Sequence, residues 1–292
     1  MKPAHTPTPQ IASASAYLTL LSLEGTHHHV DTTTLRRNSD LFDTMLTLPV
    51  PERRHIKEAS RCPPIEVFEH DATLSKTLHL INGGSVQWST IEEAYPILKL
   101  AEKWDSQHLL RRIRDQLSSS HIPRTQTLRF FAAAKHFEWT EEARQASRYT
   151  LSVDLQAPEN AVIFEQLPSK AAESLLDLRR KRSALFRRLL DNPTRFPGGN
   201  SSLFFCDNCC TAHPQDDLWH NFKKALDAEL AHVPSGAKIV ALTDGGDTWV
   251  EADACWGARC PTGGCGAPRF DRRFTLLQIR SCIDSLPSTI DP

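Results

Sequence analysis

The sequence predicts an α+β fold: a small N-terminal sheet capped by helices, then a mostly α-helical extension and a small cysteine-rich C-terminal module. Three observations lead there. The stretch YLTLLSLEGTHHHVD, from Tyr17, reads as two short strands around a glycine turn. Helical spacing dominates from there to Leu189. Seven of the eight cysteines follow Asn192, and Cys62 alone precedes it.

Taken in order, residues 1–16 are rich in Ser, Thr, Pro and Ala and are expected to form a mobile arm. Leu18, Leu20 and Ser22 alternate with Thr19, Leu21 and Leu23, so the first strand is expected to be covered on both faces. Gly25 supplies the turn. One amphipathic helix should follow the second strand, with Leu35, Leu41, Phe42, Met45 and Leu46 at helical spacing. Leu18, Leu20, Leu41 and Phe42 are the expected core. Residues 47–64 read as a proline-bracketed loop, and IEVF from Ile65 as a third short strand. Asp71 is placed to cap the next helix, and Gly83-Gly84 to stop it. Thr90 and Glu93 form a capping box, with Pro96 expected to interrupt the helix they begin. A second helix carries Leu109, Leu110, Ile113 and Leu117 and ends at Ser118-Ser119-Ser120, the first domain boundary.

The order Gly25, Val30, Leu35, Ser39, Phe42 and Leu46 resembles the opening of a BTB/POZ domain. The run from Leu98 to Leu110 is similar to the helical pair that closes such domains in fungal proteins. Three positions differ from the pattern: His28 for an aromatic residue, Asp31 for a histidine, and Glu24 for an aspartate. The resemblance implies a BTB/POZ-like domain over 17–120 and a helical extension over 121–191. A linker at 192–202 and a cysteine-rich helical module over 203–292 follow. It implies a non-enzymatic protein of protein–protein interaction, a homo-oligomer that binds protein partners, in transcriptional regulation among other settings. The alternatives are a substrate adaptor that meets a cullin in a ubiquitin ligase, and a zinc-bearing nucleic-acid-binding regulator.

Composition narrows these classes. A net charge of −1 offers no global attraction to nucleic acid or to an acidic membrane, so nucleic acid is the disfavoured partner. No window approaches the ~20 apolar residues that cross a bilayer, so no membrane role is expected. No secretory signal opens the chain, so cytoplasmic or nuclear residence and reduced cysteines are expected. No phosphate-cradling glycine loop and no GxSxG elbow is present, so the chain is read as no enzyme.

The strongest chemistry lies in the cysteines. Cys206-Asp207-Asn208-Cys209 is a CxxC, and Cys260 with Cys265 makes a second pair among glycines. Thiolates are soft, anionic ligands that reach ~2.3 Å bonds to zinc from a tight turn. The metal ligands are therefore read as Cys206, Cys209, Cys260 and Cys265, around structural zinc. Cys210, Cys255, His213 and His220 stand close enough in sequence to substitute, and free thiols in a small helical subdomain are the alternative. In fungal BTB proteins a CxxC, a tryptophan-bearing helix and a later cysteine pair occur together, and Trp219 stands where that tryptophan would be. His27, His29 and Asp31 would share one strand face, but a solvated face explains them more simply. The basic run from Arg179 through Arg182, with Arg187 and Arg188, reads as an import signal, a phosphate stripe or the solvated face of a helix.

Overall fold

The computed structural model describes residues 17–48 and 63–291. The arm at 1–16 and the loop portion at 49–62, with Cys62, lie outside the described residues. The chain is mixed α/β, with a small N-terminal sheet followed by many helices. Its contacts divide it into two units, after Ile122. No helix among the described residues is long and apolar enough to cross a membrane.

In the first unit β1 (Tyr17–Leu21) pairs antiparallel with β2 (His27–Asp31), Leu18 facing Val30. Gly25 takes φ 83°, which the turn requires. β3 (Ile65–Glu66) joins the other side of β1 in parallel, giving the order β2-β1-β3. Leu18 and Leu20 are buried, whereas Leu21 is half-buried and Leu23 exposed, so β1 is covered on one face and not on both.

The single helix expected after β2 is two. Asp31 caps α1 (Thr32–Asn38), accepting from the Thr34 N–H at 2.7 Å. Ser39 breaks the helix and caps α2 (Asp40–Thr47), and its hydroxyl also donates to the Trp104 carbonyl at 2.5 Å. That bond, 65 residues along the chain, anchors the break. Phe42 then packs edge-on against Trp104, ring centroids 5.1 Å apart. Leu41, expected in the core, is instead 45% exposed. Half-buried Met45 lies one turn on along the same face, and Leu48, 61% exposed, follows just past the helix end in extended backbone.

α3 (Asp71–Ile81) starts one residue earlier than expected, and Asp71 is not its cap. The Glu24 carboxylate accepts from the Asp71 N–H at 2.7 Å and from His70, which holds it below its ordinary range. α4 (Ile91–Lys103) runs straight through Pro96. That residue lies on the exposed face, and Ile97, Leu98 and Leu100 hold the helix to the core. Ser106 caps α5 (Gln107–Ser119), which buries Leu109, Ile113 and Leu117 against α4. Each fully buried leucine contributes roughly 1.5–3 kcal/mol.

The second unit continues from α6 (Ile122–Thr125) into α7 (Thr127–His136) and α8 (Thr140–Thr150), which pack on each other. α9 (Pro158–Glu165) and the long α10 (Ser169–Leu190) follow. The basic run on α10 is largely tied to protein groups. Arg179 donates to the carbonyls of Thr150 and Val153, and Arg182 to those of Pro234 and Pro287. Lys181 pairs with Asp177 and Asp291, and Arg187 with Asp227. Arg179 and Arg182 are thus turned inward, whereas Arg180, Lys181, Arg187 and Arg188 stay exposed and form the solvated face.

Residues 192–202, expected as a linker, carry Phe196 into the second unit's core, 5.0 Å from the Trp219 ring. Asn200 accepts from the Trp219 indole N–H at 3.0 Å and donates to the Leu190 carbonyl at 2.7 Å. A Cβ on Gly199 would lie 2.4 Å from the Trp219 ring. Gly199→Ala is therefore expected to destabilise the second unit by about 1–3 kcal/mol in urea unfolding, the usual cost of overpacking a core.

Candidate metal centre

Two short loops build the centre. β4 (Leu203–Cys206) and β5 (Thr211–Pro214) form an antiparallel hairpin; Cys206 ends β4 and Cys209 lies in the turn. Cys210 takes φ 54° and donates its N–H to the Cys206 carbonyl, which closes the turn. α11 (Leu218–His232) buries Trp219, and α12 (Ala237–Thr243) and α13 (Val250–Gly257) complete the helical wall. The second loop then closes on itself: Arg259 bridges Pro268, and the Cys260 N–H reaches the Ala267 carbonyl at 2.8 Å. Gly264 at φ 79° and Gly266 at φ 59° supply the left-handed turns that aim Cys265 back at Cys260. α14 (Arg272–Asp284) follows, capped by Asp271.

The loops bring all four predicted sulfurs together. Cys206 lies 3.6 Å from Cys265, and Cys209 lies 3.6 Å from Cys260. All four sulfurs lie within 4.8 Å of one another. Ligands ~2.3 Å from one tetrahedral ion stand about 3.8 Å apart, so this spacing fits zinc. It is far too long for disulfides, and all four are free thiols. The wider gap between Cys260 and Cys265 is taken up by a turn in which the Cys265 N–H meets the Thr262 carbonyl.

The loop side chains favour thiolates. The Thr262 and Thr211 hydroxyls, with the thiols of Cys260 and Cys206, hold Cys209 down to about 5. The Asn208 amide and the Ala267 backbone hold Cys265 below the ordinary thiol range. At Cys206 the Cys209 backbone favours the thiolate, but burial and the Cys260 and Cys265 thiols outweigh it and push the group up to about 11. Four sulfurs this close cannot all ionise without a cation among them. A divalent ion removes that conflict, so the donor set fits a structural metal.

Of the alternative ligands, only His213 borders the centre. Cys255 is buried in the helical core, where burial pushes its thiol up to about 12. Cys210 and His220 are exposed. His213 stacks on Phe204 and its Nε2 lies 3.5 Å from the Cys260 sulfur, beside a set already complete with four thiols. The N-terminal histidines do not converge: His28 meets Asp71 at 2.6 Å, His29 meets Thr19, and Asp31 is spent as a helix cap. Thr262, Thr211 and Asn208 were not readable as part of the centre, because no motif marks a hydroxyl or amide that serves a sulfur across two loops.

Phe204, Cys206 and Cys260 form a small cluster of their own, apart from the helical core. So few apolar side chains cannot hold two loops together, and a metal would act as the staple. The chain matches no protein-family model and no curated protein.

Proposed function

We propose that the chain is a non-enzymatic interaction protein. Its N-terminal unit acts as a BTB/POZ-like domain that self-associates and binds protein partners, and its cysteine centre holds one structural zinc ion. One observation carries the interaction reading. α2 seals Phe42 against Trp104, while exposed Leu41 and half-buried Met45 on the helix, with exposed Leu48 just past its end, leave apolar surface uncovered. Apolar surface of this kind is what a partner helix covers. The element order supports the family reading, since a hairpin, two short helices, a third strand and three helices make a sheet capped by helices before Ser120.

The test is light scattering on the full chain at micromolar concentration. The expected result is a mass of two chains or more. A monomer would contradict the reading.

A further inference from the structure

β4 has an unused edge. The Gln215 N–H bonds the Ser202 carbonyl, and Leu203 faces Pro214, Phe204 faces His213 and Cys206 faces Thr211. In an antiparallel ladder the bonded pairs alternate, so Ser202, Phe204 and Cys206 bond towards β5. Leu203 and Phe205 must then turn their N–H and C=O groups the other way. Pro214 agrees with this: it has no N–H to give, and it sits in a non-bonded pair. Among the described residues no other strand pairs with β4.

That edge borders a cavity of about 1020 Å³ within the second unit, and no residue of β5 lines it. Leu203 and Phe205 line it and are 56% and 57% exposed; Phe274, across the cavity, is 45% exposed. Arg259, Arg272 and Arg273 also line it, are exposed, and have no carboxylate partner among the described residues. Arg269 lines it too, with a side chain only 9% exposed; it pairs with Asp216, yet its Nε is buried and has no partner. Of the two acids on the wall, Asp271 is spent capping α14, which leaves Asp207. The cavity is therefore cationic in a chain whose net charge is −1.

We propose that this groove binds an extended acidic peptide of a protein partner, added as a third strand along the free edge of β4. The outward amides of Leu203 and Phe205 supply the main-chain bonds. Leu203, Phe205 and Phe274 receive apolar side chains, and the arginines receive carboxylates. A nucleic-acid strand could use the arginines and the aromatics, but not a backbone edge that alternates donors and acceptors. The site is independent of the α2 apolar surface, and either can fail alone.

The test is fluorescence anisotropy with the full, metal-bearing chain and a labelled peptide alternating glutamate and valine. Its lysine–valine counterpart and an oligothymidylate serve as the competing probes. The acidic peptide is expected to bind, and the double variant Arg272→Glu with Arg273→Glu to weaken it about tenfold or more, the size of ion-pair losses at interfaces. Phe205→Pro removes an outward donor without touching the bonds to β5, and should bind at least about fivefold more weakly than Phe205→Ala, the size of one lost hydrogen bond. In the unaltered chain, peptide should slow hydrogen exchange at the Leu203 and Phe205 amides. No binding below millimolar peptide, tighter binding of the oligothymidylate, or unchanged exchange at both amides would overturn the proposal.

Discussion

Cys260→Ser is expected to empty the metal centre and unfold its two loops. Cys260 is buried, sits 3.6 Å from Cys209, and anchors the second loop through the Ala267 carbonyl. Serine replaces a soft anionic ligand with a neutral hydroxyl, and three thiolates cannot complete a structural tetrahedron. Structural zinc contributes about 10–16 kcal/mol in small zinc-folded peptides, so a loop pair with almost no core of its own cannot absorb the loss. The proposed zinc content of one ion per chain should fall to under about a tenth, and the resonances of β4 and β5 should collapse. Cys210→Ser should change neither, because Cys210 is exposed and outside the cluster. A chelator should reproduce the Cys260→Ser result in the unaltered protein. Acid should do so too, since protons compete for every sulfur.

Arg182→Met is the second large effect. Arg182 is 4% exposed, and its guanidinium donates to the Pro234 carbonyl at 2.7 Å and the Pro287 carbonyl at 2.6 Å. Burial pulls its pKa down to about 10, yet it stays charged at neutral pH. The side chain ties α10 to the turn before α12 and to the segment after α14. Hydrogen bonds from charged donors contribute about 1.5–3 kcal/mol each, so the substitution should cost roughly 3–6 kcal/mol. That is a large share of the 5–15 kcal/mol typical of a whole domain. Methionine keeps most of the volume, so the loss measured in urea unfolding is the polar one. Arg182→Lys keeps the charge but cannot fork to both carbonyls, and should fall between.

Much of this was legible in the sequence, and what was not has a common cause. The hairpin around Gly25, the helices carrying Leu98 and Ile113, and the four zinc-type cysteines are local signals, set by turn chemistry, periodicity and spacing. Long-range partners leave no such trace. Ser39 breaks a helix because Trp104 offers it a carbonyl, and Glu24 caps α3 from a distant turn. Periodicity shows that α2 carries apolar residues but not that Phe42 is the one buried and Leu41 the one left exposed. Composition made 192–202 look loose, while Phe196 and Asn200 are held by Trp219. On α10 the exposed face of Arg180, Arg187 and Arg188 was legible, but no sequence pattern names the carbonyls that receive Arg179 and Arg182.

The uncovered apolar surface at α2 is tested most directly by sedimentation velocity on the unaltered chain and on the double variant Leu41→Asp with Leu48→Asp. Both residues are exposed, so the variant should fold as the parent does. The unaltered chain should sediment as a dimer or larger at micromolar concentration, and the variant as a monomer. Equal sedimentation of the two chains would contradict the assignment of that face to self-association.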